Sequence, residues 1–238
     1  MGKKLIAAGF SVIVAALLFI SCTGPKGDTG PAGPSGSNVL VMTLQDGQSP
    51  YSDYSGISDS YIDSVNATST YMNTGLLFIG YLGGTGSSNR AFIKVDMSPI
   101  VPANAFIVKA YLSLHSYIGS GGYPVITAYK VSTAHIVTLP IATWIKCNMM
   151  ENWTTPGGDY YATAASDSVN LQNVSNDLVT LTMDPALVQS WLSNPSANNG
   201  ILLKSGNEGS SDGMTEFYDS TASQVSLRPK LTVYYKLP

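Results

Sequence analysis

The chain has 238 residues and a formal net charge of −3, and only 11% of its residues are charged. This balance leaves no basic patch, so nucleic acid is excluded as an expected partner. Tyrosine is abundant, with 14 residues, and glycine, serine, threonine and asparagine separate the apolar runs. Such a composition is typical of short β-strands joined by polar turns.

Residues 1–21 have the layout of a bacterial secretory signal peptide. Lys3 and Lys4 form a short positive region, and residues 5–20 are almost entirely apolar. The segment ends in Phe-Ile-Ser before Cys22, which resembles a lipobox, where cleavage leaves a cysteine thiol to be lipidated. The apolar run is shorter than the roughly 20 residues that usually span a membrane.

We therefore predict a membrane-anchored bacterial lipoprotein, exposed at the cell surface or facing the periplasm, with its lipid on Cys22. Several acyl chains on one cysteine anchor a protein stably, because each buried CH₂ contributes about 0.8 kcal/mol. Two alternatives remain open, namely an uncleaved transmembrane anchor and a secreted protein with an incidental cysteine.

Residues 22–37 follow as a collagen-like stalk in which glycine occupies every third position. The phrase GPK-GDT-GPA-GPS-GSN contains five Gly-X-Y triplets. Only glycine fits at the axis of a collagen triple helix, which would make the protein a homotrimer. The other interpretation, favoured by the small number of triplets, is a semi-rigid spacer rising about 3.1 Å per residue. Either arrangement would lift the rest of the chain away from a membrane.

Residues 38–58 are predicted to form a turn-rich lead-in, with a candidate first strand at 39–44. From residue 59 onward, short segments of alternating apolar and polar residues recur. Glycine- and asparagine-rich turns separate them, which predicts an antiparallel β-sandwich. The clear strands are 90–97, 106–118, 123–131, 178–183, 200–205 and 230–236. In 106–118, one face is predicted to consist of Phe106, Val108, Ala110, Leu112 and Leu114.

One short helix interrupts the predicted strands, within the phrase MDPALVQSWLSN. Asp184 can cap this helix, and Pro185 suits the first helical position. Asn194 and Pro195 end it. We expect the helix to cover an open end of the sandwich with an apolar stripe made of Leu187, Val188, Trp191 and Leu192.

A series of phrases occurs in a recognisable order across residues 59–236. They are DSYIDS, YMNTGLLFIG, RAFIKVDMSPI, ANAFIVKAYLSL, VTLTMDPALVQSWL, NNGILLKS, FYDS and RPKLTVYY. This order resembles the DNRLRE domain, a bacterial module related to carbohydrate-binding modules. Two features depart from that pattern: the W-x-E before Thr143-Trp144 is missing, and Thr221 stands where an acid often occurs.

The resemblance implies a jelly-roll-like β-sandwich over residues 59–238. It also implies extracellular carbohydrate binding or attachment without catalysis, often as an accessory to polysaccharide-active enzymes.

The best candidate sugar-binding site is the segment NWTTPGGDYY, residues 152–161. Sugar C–H faces stack on aromatic rings, while nearby polar groups bind the hydroxyls. For Trp153, a position in the core remains an alternative. The candidate carbohydrate-binding residues are Trp153, Asp159, Tyr160 and Tyr161, with Tyr123 after another glycine turn.

Nothing in the sequence predicts catalysis. It contains no nucleophile elbow, zinc motif or phosphate loop, so we predict no enzyme activity, no cofactor and no metal site. A calcium ion held by loop oxygens would suit such a sandwich, but no Asp-x-Asp series supports one.

Three further residues carry reactive or charged groups for which the sequence favours a structural role. Cys147 is expected to be a small buried side chain, since nothing places His115 or His135 beside it as an activating base. Arg90 and Arg228, the only two arginines, are expected to tie strand ends together. Each could instead bind a substrate carboxylate.

Two functions follow as expectations. The first is a surface lipoprotein whose head binds extracellular polysaccharide. The second is a non-catalytic structural or adhesive surface protein that assembles through its stalk and head. An exposed aromatic groove with polar neighbours would favour the first.

Overall fold

The computed structural model describes residues 38–238 apart from 123, 172, 173, 207, 210 and 211. The signal peptide, Cys22, the stalk and Tyr123 therefore lie outside the described residues, and the predictions about them stay predictions. Among the residues described, no helix is long and apolar enough to cross a membrane.

The described chain is built from antiparallel strands and one short α-helix, which confirms the predicted all-β class. The helix, α1, spans Pro185–Ser193. The strands are β1 (Leu40–Leu44), β2 (Ile57–Asp63), β3 (Leu76–Leu82), β4 (Ser87–Val95), β5 (Phe106–Gly121), β6 (Val125–Val131), β7 (Tyr160–Asn170), β8 (Leu178–Met183), β9 (Ile201–Ser205), β10 (Gly213–Tyr218) and β11 (Lys230–Lys236).

Strand pairing closes into an antiparallel barrel of eight strands, in the order β5-β10-β3-β4-β9-β6-β7-β8 and back to β5. β11 and then β1 continue from β5 outside this ring, and β2 pairs with β4. The predicted jelly-roll-like sandwich is therefore corrected to a closed barrel. The cause is β5, whose 16 residues pair with β8 and β11 at one end and with β10 at the other. A strand shared in this way joins what would otherwise be two separate sheets.

The predicted alternation holds in β8 and β11. In β8, Val179, Leu181 and Met183 are buried, while the two threonines between them are exposed. Inward apolar side chains at every second position are the signature of a strand with one buried face. The inward residues of β11 are Leu231, Val233 and Tyr235.

The first residues of β5 depart from the predicted burial pattern. Phe106 and Val108 are 62% and 38% exposed, although Ala110, Leu112 and Leu114 are buried as expected. The register against β11 shifts here, because Tyr234 lies opposite Lys109 but Tyr235 lies opposite Ile107. The extra residue, Val108, forms a β-bulge. Each side chain before the bulge therefore lies on the opposite face of the strand from the one predicted.

The helix forms as predicted. The Asp184 carboxylate accepts a hydrogen bond from the backbone N–H of Ala186 at 2.9 Å, and the proline follows the cap directly. Gln189 ties the helix to the start of β5 by accepting a hydrogen bond from the N–H of Ile107 at 2.8 Å. The apolar stripe is buried as expected at Leu187, Val188, Trp191 and Leu192.

The predicted lead-in belongs to the folded domain. β1 pairs with β11 along its whole length, with Leu40 opposite Tyr235 and Leu44 opposite Leu231. Leu44 is fully buried. Arg228 holds the adjacent turn, where its Nε donates to the carbonyl of Ala222 at 2.8 Å, as its predicted structural role requires.

Candidate functional site

Trp153 lies in the core and presents no free ring face to a ligand. Its side chain belongs to a buried cluster beneath the 152–161 loop, and the residue is only 4% exposed. The indole lies parallel to Phe92 with ring centroids 5.4 Å apart, and its Nε1 donates to the carbonyl of Thr143 at 2.9 Å. The predicted sugar-binding role of Trp153 is therefore wrong, and the alternative core position is confirmed.

Three other candidates line one open cavity. Asp159, Tyr160 and Tyr161 all border a space of about 450 Å³. That volume lies within the usual range of small-ligand sites, about 300–1,000 Å³. The remaining lining residues are Arg90, Ser132, Thr155, Pro156, Gly158 and Ala162.

The two tyrosines differ in exposure because they are the first two residues of β7. Tyr161 is 46% exposed, and Lys130 Nζ lies 5.3 Å from its ring centroid. A hydrogen bond with the Thr133 hydroxyl lowers the pKa of Tyr161 from its usual value. Tyr160 is half-buried, with its ring tilted against Tyr129 at 5.0 Å between centroids. One ring is therefore accessible and the other is held in place.

Arg90, which lines the cavity, belongs to a network of charged side chains. Arg90 Nε and Nη2 donate to the Glu208 carboxylate at 2.9 and 2.7 Å, and Nη1 donates to the carbonyl of Gly157 at 2.7 Å. Lys204 Nζ lies 3.3 Å from the same carboxylate. The guanidinium carbon is also 4.8 Å from the ring centroid of Trp144. A bidentate pair of this kind is geometrically specific, so the structural role expected for Arg90 is confirmed.

Asp159 organises the loop that carries the tyrosines. Its two carboxylate oxygens accept hydrogen bonds from the N–H groups of Thr154 and Thr155, at 2.7 and 2.9 Å. Its Oδ2 also lies 3.6 Å from Nε2 of His135. The carboxylate therefore connects the cavity to a second group of side chains.

That second group contains His135, Cys147 and Glu151. Their potential metal-ligating atoms all lie within 4.8 Å of one another. No local sequence pattern places His135 next to Cys147, yet the fold does so. Cys147 is fully buried as predicted, and its Sγ donates to the backbone carbonyl of Glu151 at 3.3 Å. Burial raises the pKa of the Cys147 thiol, which opposes a role as a free nucleophile.

Three of the functional side chains at this site were missed by sequence reasoning. Glu208 pairs with Arg90 across 118 residues of sequence, and Lys204 lies beside the same Glu208 carboxylate. Glu151 is separated from Cys147 by a turn that matches no metal-binding motif. Contacts between distant parts of the chain bring Glu208 to Arg90, whereas a local turn brings Glu151 to Cys147.

Comparison with known proteins finds no family model that matches this chain and no curated protein that matches it. The resemblance to the DNRLRE domain therefore stays a prediction.

Proposed function

We propose that this protein is a membrane-anchored bacterial lipoprotein whose head domain binds extracellular polysaccharide without cleaving it. The observation that carries this proposal is the cavity beside β7, where Tyr160 and Tyr161 stand next to the carboxylate of Asp159. An exposed ring with polar neighbours is the feature expected to distinguish sugar binding from a purely structural head.

The chemistry of the cavity suits a sugar. The Tyr161 ring can stack on an apolar sugar face, and its hydroxyl can exchange hydrogen bonds with a sugar hydroxyl. Ser132 and Thr155 add further polar groups at the rim of the cavity. Arg90 and Lys204 carry two positive charges against the one negative charge of Glu208, and the Asp159 carboxylate that lines the same cavity supplies the second negative charge. We therefore expect neutral sugar units to bind better than strongly acidic ones.

The predicted anchor and stalk give this binding site its context. A lipid on Cys22 would hold the protein at a membrane, and residues 22–37 would separate the head from the bilayer. The resemblance of residues 59–236 to the DNRLRE domain supports the same function.

The test is retention of the full-length protein on gels or arrays containing neutral polysaccharides. Tyr161→Ala should weaken retention about tenfold to a hundredfold, since a lost stacking contact costs on the order of 1–3 kcal/mol by analogy with base–aromatic stacking. Tyr117→Ala is the matched control, because Tyr117 is also 46% exposed but does not line the cavity. Equal retention of the two variants would contradict the proposed site.

A second candidate function is adhesion to a protein partner, and one surface favours it. Ile136, Met149 and Met150 are 77%, 74% and 92% exposed. Asn148 holds them together, because its Nδ2 donates to the carbonyl of Ile136 at 3.0 Å. Exposed methionines adapt to varied partners. If adhesion depends on this surface, Met150→Lys should reduce it and leave polysaccharide retention unchanged.

A further inference from the structure

We propose that His135, Cys147 and Glu151 together bind a zinc ion. These side chains offer an imidazole nitrogen, a thiolate sulfur and a carboxylate oxygen, which is a donor set that zinc accepts. Calcium and magnesium take oxygen ligands, so the thiol and imidazole disfavour them. Binding of zinc here does not require a sugar in the neighbouring cavity.

The positions of the three side chains suit a site with three protein ligands. Their ligating atoms lie within 4.8 Å of one another. Tetrahedral bonds of about 2.0–2.3 Å place ligand atoms roughly 3.5 Å apart, so the group would close by about an ångström on binding. The Glu151 side chain is 52% exposed, which leaves solvent access for water as a fourth ligand.

The surroundings of the two ring nitrogens of His135 are the independent observation that points to a metal ligand. Its Nδ1 is buried and has no hydrogen-bond partner among the residues that the structure describes, and the Glu151 carboxylate lies 3.6 Å from it. The other ring nitrogen, Nε2, faces Asp159 Oδ2, also at 3.6 Å. Buried polar atoms are almost always satisfied. A histidine that binds a metal characteristically has a carboxylate or carbonyl on its second nitrogen, which is the role Asp159 would have.

The turn after Cys147 positions the third ligand. The Asn148 side-chain oxygen accepts hydrogen bonds from the N–H groups of Met150 and Glu151, at 2.9 and 2.8 Å. Asn148 Nδ2 donates to Glu151 Oε2 at 2.8 Å. The segment that carries His135 is attached to this turn, because the N–H of Thr138 donates to the carbonyl of Cys147 at 3.0 Å. These contacts hold the 135–139 and 147–151 segments against each other.

Binding would change the chemistry of the thiol in a defined way. A coordinating thiol loses its proton to solvent and becomes a thiolate bonded to the metal. The hydrogen bond from Cys147 Sγ to the Glu151 carbonyl would be given up at the same time. The metal then links three positions of the loop region that surrounds Trp153 and Asp159.

The experiment uses the full-length chain carrying Cys22→Ala, in which Cys147 is the only cysteine. Cobalt(II) reports thiolate ligation through a sulfur-to-metal charge-transfer band in the near ultraviolet, and zinc should displace it. We expect one cobalt ion per chain and a clear band. Cys147→Ser should abolish the band, whereas His115→Gln, which alters a histidine outside the cluster, should retain it.

Two further variants keep the test decisive if Cys147→Ser fails to fold. Glu151→Gln changes a half-exposed side chain and should weaken zinc binding in calorimetry. Asp159→Asn should weaken it about tenfold to a hundredfold, as loss of a partner to a metal-bound histidine typically does. Absence of the charge-transfer band in the Cys22→Ala protein would overturn the proposal. So would zinc binding that is undiminished in Glu151→Gln and Asp159→Asn.

Discussion

Replacing Trp153 with alanine should strongly destabilise the domain. The indole is 4% exposed, stacks on Phe92 and donates a hydrogen bond to the carbonyl of Thr143. Truncation of a buried tryptophan costs about 3–5 kcal/mol. The carbonyl left without its donor places the expected loss toward the upper end of that range. In a domain of this size, each kcal/mol lowers the melting temperature by about 2–4 °C, so we expect a decrease of roughly 6–20 °C.

The measurement is thermal unfolding of the full-length protein in mild detergent, followed by far-ultraviolet circular dichroism. Trp153→Phe should fall between wild type and Trp153→Ala, because it keeps an aromatic ring against Phe92 but lacks the N–H donor. Tyr161→Ala serves as a surface control and should melt within a few degrees of wild type, in the range usual for surface substitutions, about ±0.5 kcal/mol. If Trp153→Ala melts no lower than this control, the core position of the indole is refuted.

Three further changes test other parts of the chain. Burial, reinforced by the neighbouring Asp219 carboxylate, raises the pKa of Asp59 from 3.8 to about 7. The stability that protonated Asp59 contributes is therefore complete below pH 3.8 and is lost as the pH rises through about 7, which should lower the melting temperature of the wild type over that range. Asp59→Asn cannot ionise, so its melting temperature should fall less over the same range. Cys22→Ala should abolish acyl labelling and detergent partitioning, and unchanged partitioning would identify the apolar segment itself as the anchor. If the stalk forms a triple helix, Gly30→Ala should lower the trimer fraction in sedimentation, whereas a monomeric wild type would leave only the spacer.

The strands with regular alternation could be predicted from the sequence, and those shaped by distant partners could not. β8 and β11 follow the pattern of apolar and polar residues directly. The bulge near Val108 depends on the register of β5 against β11, which is more than a hundred residues away, so nothing local signals it. β7 was not predicted because its residues are small or polar and mostly exposed. Closure of the barrel likewise depends on long-range pairings, those of β5 with β8 and with β10.

In the candidate site too, features set by local sequence could be predicted and features set by distant residues could not. Asp159, Tyr160 and Tyr161 could be grouped from sequence because they are consecutive, and they do line one cavity. Trp153 is separated from them by a glycine-containing turn and faces the opposite way, toward Phe92. The orientation of an aromatic side chain in such a turn is set by the apolar cluster beneath it, which local sequence does not define.

The pairing of β1 with β11 joins the first and last strands of the described chain. During synthesis, residues 40–44 emerge early but find their partner only when residues 230–236 have also emerged. β5 likewise waits for β11 and β8 before one end of it is paired on both edges. Contacts this distant in sequence favour slow folding. The head would therefore stay incomplete until its last strand is available, so the chain would finish folding only after residues 230–236 have been synthesised.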